Sequence, residues 1–353
     1  MTNAYNLSDY NYDLPEELIA QVPSQKRDMS SLMVLEKDGS VSHKHFYDII
    51  DYLNKGDALV LNNSKVIPAR IFGKRFQKDE QGNFTGTLGT DCEVLLLERK
   101  QDTVWEALVR PGKKLVEGDR LKFSDKLEGR ILKVLDDGNR LVEFFYEGEF
   151  FSILDEIGEM PLPPYIHSRE SQKDRYQTVY AKHEGSSAAP TAGLHFTDEL
   201  IERIKQKGVE IIYVTLHVGL GTFRPVKEQN ILNHKMHSEY YTVTKDNAEK
   251  FNTVKKNGGR IFCVGTTSCR TVESCADQNG FLSEKSATTD IFIYPGYKFK
   301  AMDSLITNFH LPQSTLIMLV SALAGRERVL EAYKTAVEKR YRFFSFGDAM
   351  LIV

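Results

Sequence analysis

A chain of 353 residues with 41% hydrophobic and 27% charged residues is long enough for two domains and a sizeable core, and its balance excludes a disordered chain. No apolar run approaches the length of a membrane span, and the N-terminus lacks a basic stretch followed by an apolar one, so a cytoplasmic protein with no membrane partner is expected. A formal net charge of -3 excludes a strongly basic nucleic-acid-binding domain and leaves only local basic patches.

In chain order, the first segment predicts a short helix at Pro15–Ile19, an apolar strand at Leu32–Leu35 and a helical pattern over His45–Leu53. Near Asp57 the texture changes. Short β-branched or aromatic runs follow at Ala58–Leu61, Glu93–Leu97, Val104–Val109, Arg130–Leu135 and Leu141–Tyr146, separated by turn signals such as Pro111-Gly112 and Asp136-Asp137-Gly138-Asn139. They predict a small antiparallel β-barrel domain over 57–150, inserted into an α/β domain built from 1–56 and 151–353. That α/β domain is expected to be a layered α/β/α sheet or a barrel-like one. Asn62, Asn63 and Arg70 mark the entrance to the insertion and are candidate substrate-binding residues; Pro161-Leu162-Pro163-Pro164 reads as the stiff return connector.

Beyond residue 150, helices are predicted near Arg175–Ala181, Leu200–Lys207, Asp246–Lys256 and Ser314–Leu323, with strands at Ile211–Leu216, Ile261–Val264 and Asp290–Ile293. Gly185–Thr197, GSSAAPTAGLHFT, is a small-residue loop ending on His195, with Thr197 placed to cap the next helix. Its Ala189, Pro190, Thr191, Ala192 and Gly193 expose backbone for close ligand approach, and His195 supplies a titratable group. The VTLHVGLGTF segment delivers His217, Gly219, Gly221 and Thr222 into a turn, but Arg224 and Pro225 stand where a dinucleotide fingerprint needs its third glycine.

His234, His237 and Glu239 cluster without a zincin spacing, which favours a general-base or substrate-binding histidine oriented by Glu239 over a metal site. In VGTTSCRTVES a strand runs through Gly265, Thr266 and Thr267 into a helix carrying Arg270 and Glu273. Free helix amides, a threonine cap and a guanidinium there suit a carboxylate or phosphate, with Glu273 as orienter or base. Asn308 and His310 lie at another strand end, ahead of a helix capped by Ser314 or Thr315. Arg342 closes a basic stretch interleaved with Tyr333, Tyr341, Phe343 and Phe344, a combination suited to phosphates and unstacked bases. Cys92, Cys263, Cys269 and Cys275 show no paired metal spacing, no metal is expected, and no nucleophile elbow is present.

These segments together resemble the S-adenosylmethionine:tRNA ribosyltransferase-isomerase family of queuosine biosynthesis. The resemblance runs from Tyr12-Asp13-Leu14-Pro15-Glu16 through Leu61-Asn62-Asn63, Arg175-Tyr176-Gln177-Thr178, Ala188–Phe196, His217–Phe223, Met236–Glu239, Val264–Ser268 and Ile306–Pro312 to Ser345–Leu351. Ser31, Lys65 and Ser187 depart from the family pattern. The resemblance implies transfer and isomerisation of the ribosyl part of S-adenosylmethionine onto the 7-aminomethyl-7-deazaguanine base at the tRNA wobble position. The product would be epoxyqueuosine in tRNA, with release of adenine and methionine, and no cofactor beyond S-adenosylmethionine as co-substrate. A base would first remove a C5' proton beside the sulfonium, with His195 and His217 as leading candidates and His237 and His310 behind them. Gly265–Thr267 with Arg270 would hold the methionine carboxylate, the 186–192 loop would lie against the nucleoside, and Tyr176 joins the substrate-binding set. A monomer is expected.

Overall fold

The computed structural model describes residues 4–162, 165–166, 175–219 and 226–353. Its elements are β1 (Ser31–Leu35), β2 (Val41–His45), β3 (Ala58–Asn62), β4 (Ser64–Val66), β5 (Arg70–Lys78), β6 (Phe84–Arg99), β7 (Val104–Arg110), β8 (Arg120–Lys122), β9 (Leu127–Val134), β10 (Arg140–Tyr146), α1 (Phe150–Ile157), β11 (His183–Ser186), α2 (Asp198–Gln206), β12 (Glu210–Leu216), β13 (Glu239–Val243), α3 (Lys245–Lys256), β14 (Ile261–Val264), α4 (Gly265–Cys275), β15 (Lys285–Thr289), β16 (Ser304–Asn308), α5 (Thr315–Ala324), α6 (Arg326–Glu338) and β17 (Ala349–Ile352). Two compact units divide the chain: Met1–Ser64 with Pro164–His183 and Ala189–Val353, and Lys65–Pro163 with Glu184–Ala188.

The first unit is built on a nine-stranded sheet ordered β15-β13-β12-β3-β14-β16-β17-β1-β2. This main sheet stays open, so of the two expected forms the layered one is adopted. Its centre consists of apolar runs buried along their length, ALVLN in β3 and IFCV in β14, as parallel strands covered on both faces require. One face packs Leu32, Val34, Leu59, Leu61, Phe262, Val264 and Ile306 against Phe46, Ile49 and the α2 residues Leu200, Ile201 and Ile204. Helices α3 and α4 pack along β12 and β14 without joining that cluster, and the alternating residues Val60, Cys263 and Leu305 supply the other face. Thr197 caps α2 by accepting from Leu200 N at 3.1 Å, and Ser314 caps α5 by accepting from Ile317 N at 3.3 Å.

The helical pattern expected over His45–Leu53 is a 3-10 helix, Phe46–Tyr52. Other local expectations are corrected: the Ala58–Leu61 run, expected in the barrel domain, is β3 in the middle of the main sheet, where burial along its whole length suits it. Arg175–Ala181 is a run of turns without a helix; Tyr176 and Thr178 are buried in it, and the backbone amides of Lys182 and His183 donate to the Asn63 carbonyl at 2.8 and 3.2 Å. The strand expected at Asp290–Ile293 lies earlier, at Lys285–Thr289, where it pairs antiparallel with β13. Thr289 Oγ1 accepts from Ile291 N at 3.2 Å and turns the chain out of the sheet. Pro163 and Pro164 of the expected connector fall outside the described residues.

The second unit is a closed six-stranded barrel, β10-β7-β6-β5-β8-β9, with every neighbouring pair antiparallel. Closure removes exposed strand edges. Trp105, Leu121, Ile131 and Phe144 are buried, and α1 begins with Phe150 stacked 5.7 Å from Trp105. No helix among the described residues is long and apolar enough to cross a membrane, and the described residues contain no metal-binding group of His, Cys, Asp or Glu.

Candidate active site

Strands β3, β12, β14 and β16 run parallel, so their carboxyl ends reach one edge of the sheet. The β17 partner of Asn308 is Ala349, which also pairs with Leu32, so the starts of β1 and β17 arrive at the same edge. Open α/β sheets bind ligands beyond this edge because turns there leave backbone groups free. A cavity of about 220 Å³ lies here, walled by Ala189–Ala192, Gly265–Thr267, Thr307–Ser314 and Phe344–Ser345, with Val218 and Val226. It joins the predicted residues Ala189, Pro190, Thr191, Ala192, Gly265, Thr266, Thr267, Asn308 and His310. Among the described residues, no lysine, arginine or carboxylate lines it.

The small-residue loop is pinned behind that wall. Thr191 Oγ1 donates to Asn308 Oδ1 at 3.0 Å, and Asn308 Nδ2 donates to His195 Nε2 at 3.0 Å. The donor order then assigns the other nitrogen: Nδ1–H meets Ser30 Oγ at 2.7 Å, and Ser30 Oγ donates to the Arg27 carbonyl at 3.4 Å. His195 stacks on Phe46 at 4.9 Å. Burial, with smaller contributions from Arg342 and Arg27, pushes its pKa down to about 3, so the ring is neutral. Gly193 serves packing: a Cβ there would sit 2.0 Å from Tyr180 Oη and 2.9 Å from Thr178 Cγ2. It does not line the cavity.

The first turn of α4 forms the opposite wall. Gly265 adopts φ +82°, a left-handed conformation that favours glycine. Neither Thr266 nor Thr267 caps the helix, because the N-cap position is Val264, which makes no side-chain bond. Thr267 Oγ1 and Ser268 Oγ are buried without partners. Arg270 Nη1 donates to Glu239 Oε2, while Arg270 Nε and Nη2 are buried and unpartnered. Glu239 Oε1 accepts from Gly219 N at 3.0 Å. The Glu239 carboxylate therefore serves Arg270 and the turn after β12 rather than His237, which is exposed. Glu273 is neither an orienter nor part of an intrahelical Arg270 pair. It accepts from Tyr297 Oη at 3.0 Å and from the amides of Ala301 and Met302 at 2.9 and 3.2 Å, donors that hold it to the following loop.

His310 lines the cavity, its Nε2 2.8 Å from Thr307 Oγ1, and burial pushes its pKa down to about 3. His217 keeps a buried Nδ1 without partner, and burial lowers its pKa to about 4, but it does not line the cavity. Asn62 is consumed by structure, donating to Leu216 O and accepting from Leu216 N, each at 3.0 Å, and from Ser64 N at 3.1 Å. Asn63 Oδ1 accepts from Thr215 Oγ1 at 2.7 Å. Tyr176 is fully buried, and Arg342 is half-buried with Nη2 on Ser24 Oγ at 2.6 Å and on Asp348 at 3.4 Å. Arg70 belongs to the barrel unit, where it pairs with Glu93 at 3.4 Å. Gly221 and Thr222 lie outside the described residues.

Sequence reasoning missed Ser30 and Thr307, the hydroxyl partners of the two buried histidines. It also missed Gln313 and Phe344, cavity-lining residues held at φ 57° and 74°. Only glycine, asparagine or aspartate would have signalled a left-handed residue in advance.

A profile of the queuosine biosynthesis protein family matches residues 7–352. A protein of Lachnoclostridium phytofermentans named S-adenosylmethionine:tRNA ribosyltransferase-isomerase is 61% identical over 349 residues, covering 98% of this chain and 96% of that relative. A Clostridioides difficile protein of the same name is 58% identical, with 98% of each chain covered. The crystal structure of S-adenosylmethionine tRNA ribosyltransferase from Thermotoga maritima is similar at 40% identity and a TM-score of 0.56, covering 98% of this chain and 100% of that one.

Proposed function

The chain belongs to the queuosine biosynthesis protein family, and on that premise we propose that it is an S-adenosylmethionine:tRNA ribosyltransferase-isomerase whose chemistry occurs in the strand-end cavity. The reaction moves the ribosyl part of S-adenosylmethionine onto the 7-aminomethyl-7-deazaguanine base at the wobble position of tRNA, giving epoxyqueuosine and releasing adenine and methionine. The observation that carries the cavity assignment is its lining: apolar walls with a few hydroxyl, amide and imidazole groups, and no cation among the described residues, suit a sulfonium nucleoside better than a polyphosphate.

Within this proposal His310 takes the C5' proton. Among the described residues it is the histidine that lines the cavity, and it acts in the tautomer whose Nε2–H donates to Thr307 Oγ1, which frees the Nδ1 lone pair. Its depressed pKa keeps it unprotonated at neutral pH. His195, with both nitrogens engaged, positions Asn308 and Thr191. The α4 amino end and the unpartnered Thr267 hydroxyl receive the carboxylate of the methionine portion, and Arg270 supports that end through its buried charge. The barrel is a module inserted in the catalytic α/β domain. The enzyme works as a cytoplasmic monomer, with tRNA and S-adenosylmethionine as its partners and without a metal or further cofactor.

Incubation with S-adenosylmethionine and tRNA carrying the aminomethyl base tests the assignment. Equal amounts of adenine and methionine are expected, and tRNA binding without products would identify a non-catalytic RNA-binding module instead. His310→Gln is expected to lower adenine release by about a hundredfold or more, the scale of general-base catalysis. Near-normal release would transfer the proton step to another group.

A further inference from the structure

Among the described residues, three other than glycine adopt left-handed backbone: Gln313 at φ 57°, Arg340 at φ 57° and Phe344 at φ 74°. Arg340 follows the last turn of α6, where its own N–H donates to Val337 O at 3.0 Å and Tyr341 N donates to Ala336 O at 2.9 Å, a pattern that ends many helices. Gln313 and Phe344 close no helix, and both line the main cavity. Each sits in a turn where glycine would lie without strain: Gln313 follows Pro312 just before the Ser314 cap of α5, and Phe344 O accepts from Gly347 N at 2.9 Å. Side chains held in this backbone region concentrate at ligand clamps, where the residue itself is needed.

The two side chains suit one kind of ligand. Gln313 N–H donates to Tyr10 O at 3.0 Å, but no hydrogen bond of its carboxamide is found among the described residues. A carboxamide offers an acceptor beside a donor. Adenine presents the complement, a 6-amino donor beside a ring-nitrogen acceptor, whereas a 6-oxo purine puts an acceptor where the amino group stands. The Phe344 ring is half-buried, T-shaped against Tyr165 at 4.2 Å, and a phenyl face stacks on any purine. Phe344 N donates to Phe309 O at 3.2 Å, which ties its turn to the segment carrying Gln313.

We propose that Gln313 and Phe344 form the adenine subsite of the cavity, with Phe344 stacking on the purine and Gln313 reading its amino edge. The proposal rests on the S-adenosylmethionine reading given above. That reading sets the methionine carboxylate at the α4 amino end and the C5' carbon at His310, which leaves the purine to the lining that neither uses. The other carboxamide there, Asn308, is already engaged by Thr191 and His195, and the other phenyl ring, Phe309, is fully buried.

The test compares two stable inhibitors of the full enzyme, each with a thioether in place of the sulfonium, one carrying adenine and the other hypoxanthine. Inhibition constants are measured against S-adenosylmethionine turnover with tRNA carrying the aminomethyl base. Wild-type protein should prefer the adenine compound by about tenfold or more, the discrimination of one bidentate pair. Gln313→Gly should bring that ratio near one by weakening the adenine compound, while its denaturation midpoint does not fall, because glycine relieves the left-handed residue. Phe344→Leu should weaken both compounds by a similar factor and leave their ratio unchanged. The wild-type comparison needs no variant. An absence of discrimination by wild-type protein, or a wild-type ratio in Gln313→Gly, overturns the proposal. So does a Gln313→Gly effect confined to the KM for tRNA, which would assign the carboxamide to the wobble base. Adenine release by wild-type protein separates the two readings: release without discrimination defeats this proposal alone, and no release defeats the cavity assignment as well.

Discussion

Acidification should destabilise the sheet unit through its buried histidines, and the size of the effect follows from their surroundings. His195 and His310 are 5% and 8% exposed, and burial holds each near a pKa of about 3. An unfolded histidine titrates near 6.5, so between those values the unfolded chain binds a proton that the native ring refuses. Stability from each histidine is complete above about pH 6.5 and falls by about 1.4 kcal/mol per pH unit until about pH 3. At pH 5 the loss is roughly 2 kcal/mol per histidine, a sizeable fraction of the 5–15 kcal/mol typical of a folded domain. The perturbation is His195→Gln, which removes one titrating ring. The assay is urea unfolding at pH 5.5, 6.0, 6.5 and 7.5, together with hydrogen-exchange protection of β1, β16 and β17 amides. The variant should be less stable than wild type at pH 7.5 yet lose stability more slowly on acidification, its slope shallower by about 1.4 kcal/mol per unit below pH 6. An unchanged slope would refute the claim that the native fold holds His195 neutral.

Two further outcomes follow from neighbouring packing. Gly193→Ala forces a methyl group onto the Tyr180 hydroxyl and should cost about 1–3 kcal/mol by overpacking; Tyr180→Phe in the same chain should restore part of it, measured as a double-mutant cycle in denaturation midpoints. Thr267→Val removes a buried hydroxyl that has no partner, so stability should change by less than about 1 kcal/mol. Calorimetry should nevertheless show weaker S-adenosylmethionine binding. Unchanged affinity would remove Thr267 from the ligand's surroundings.

Continuous apolar strands and side-chain caps were legible in the chain because they depend on neighbours in sequence. The run of β14, the Thr197 and Ser314 caps, and the closely spaced barrel strands all follow from local composition, whereas Ala58–Leu61 was legible as a strand but not as a member of the main sheet, because its place depends on β12 and β14 far along the chain. The meeting of Ala189–Ala192, Gly265–Thr267, Asn308 and His310 was legible too, since each follows or faces a strand end. What could not be read was partner choice among charged groups. Glu239 and Arg270 lie on different elements, and their pairing exists only because β13 and α4 are packed together. Glu273 was expected to act as orienter or base beside Arg270, yet backbone amides of the 300–302 loop hold it. Likewise, Ser30 has no local signature; it meets His195 because β1 starts at the edge where β16 ends.

The chain of bonds from Thr191 through Asn308 and His195 to Ser30 has a consequence for traffic through the cavity. A wall tied at three successive contacts to β16 and to Ser30, the residue just before β1, behaves as a fixed jamb. Gln313 and Phe344 line the same cavity in left-handed backbone, a conformation that persists only where its surroundings hold it. Two separate devices, a bonded polar chain and a pinned backbone, therefore fix the shape of the doorway before any nucleoside arrives.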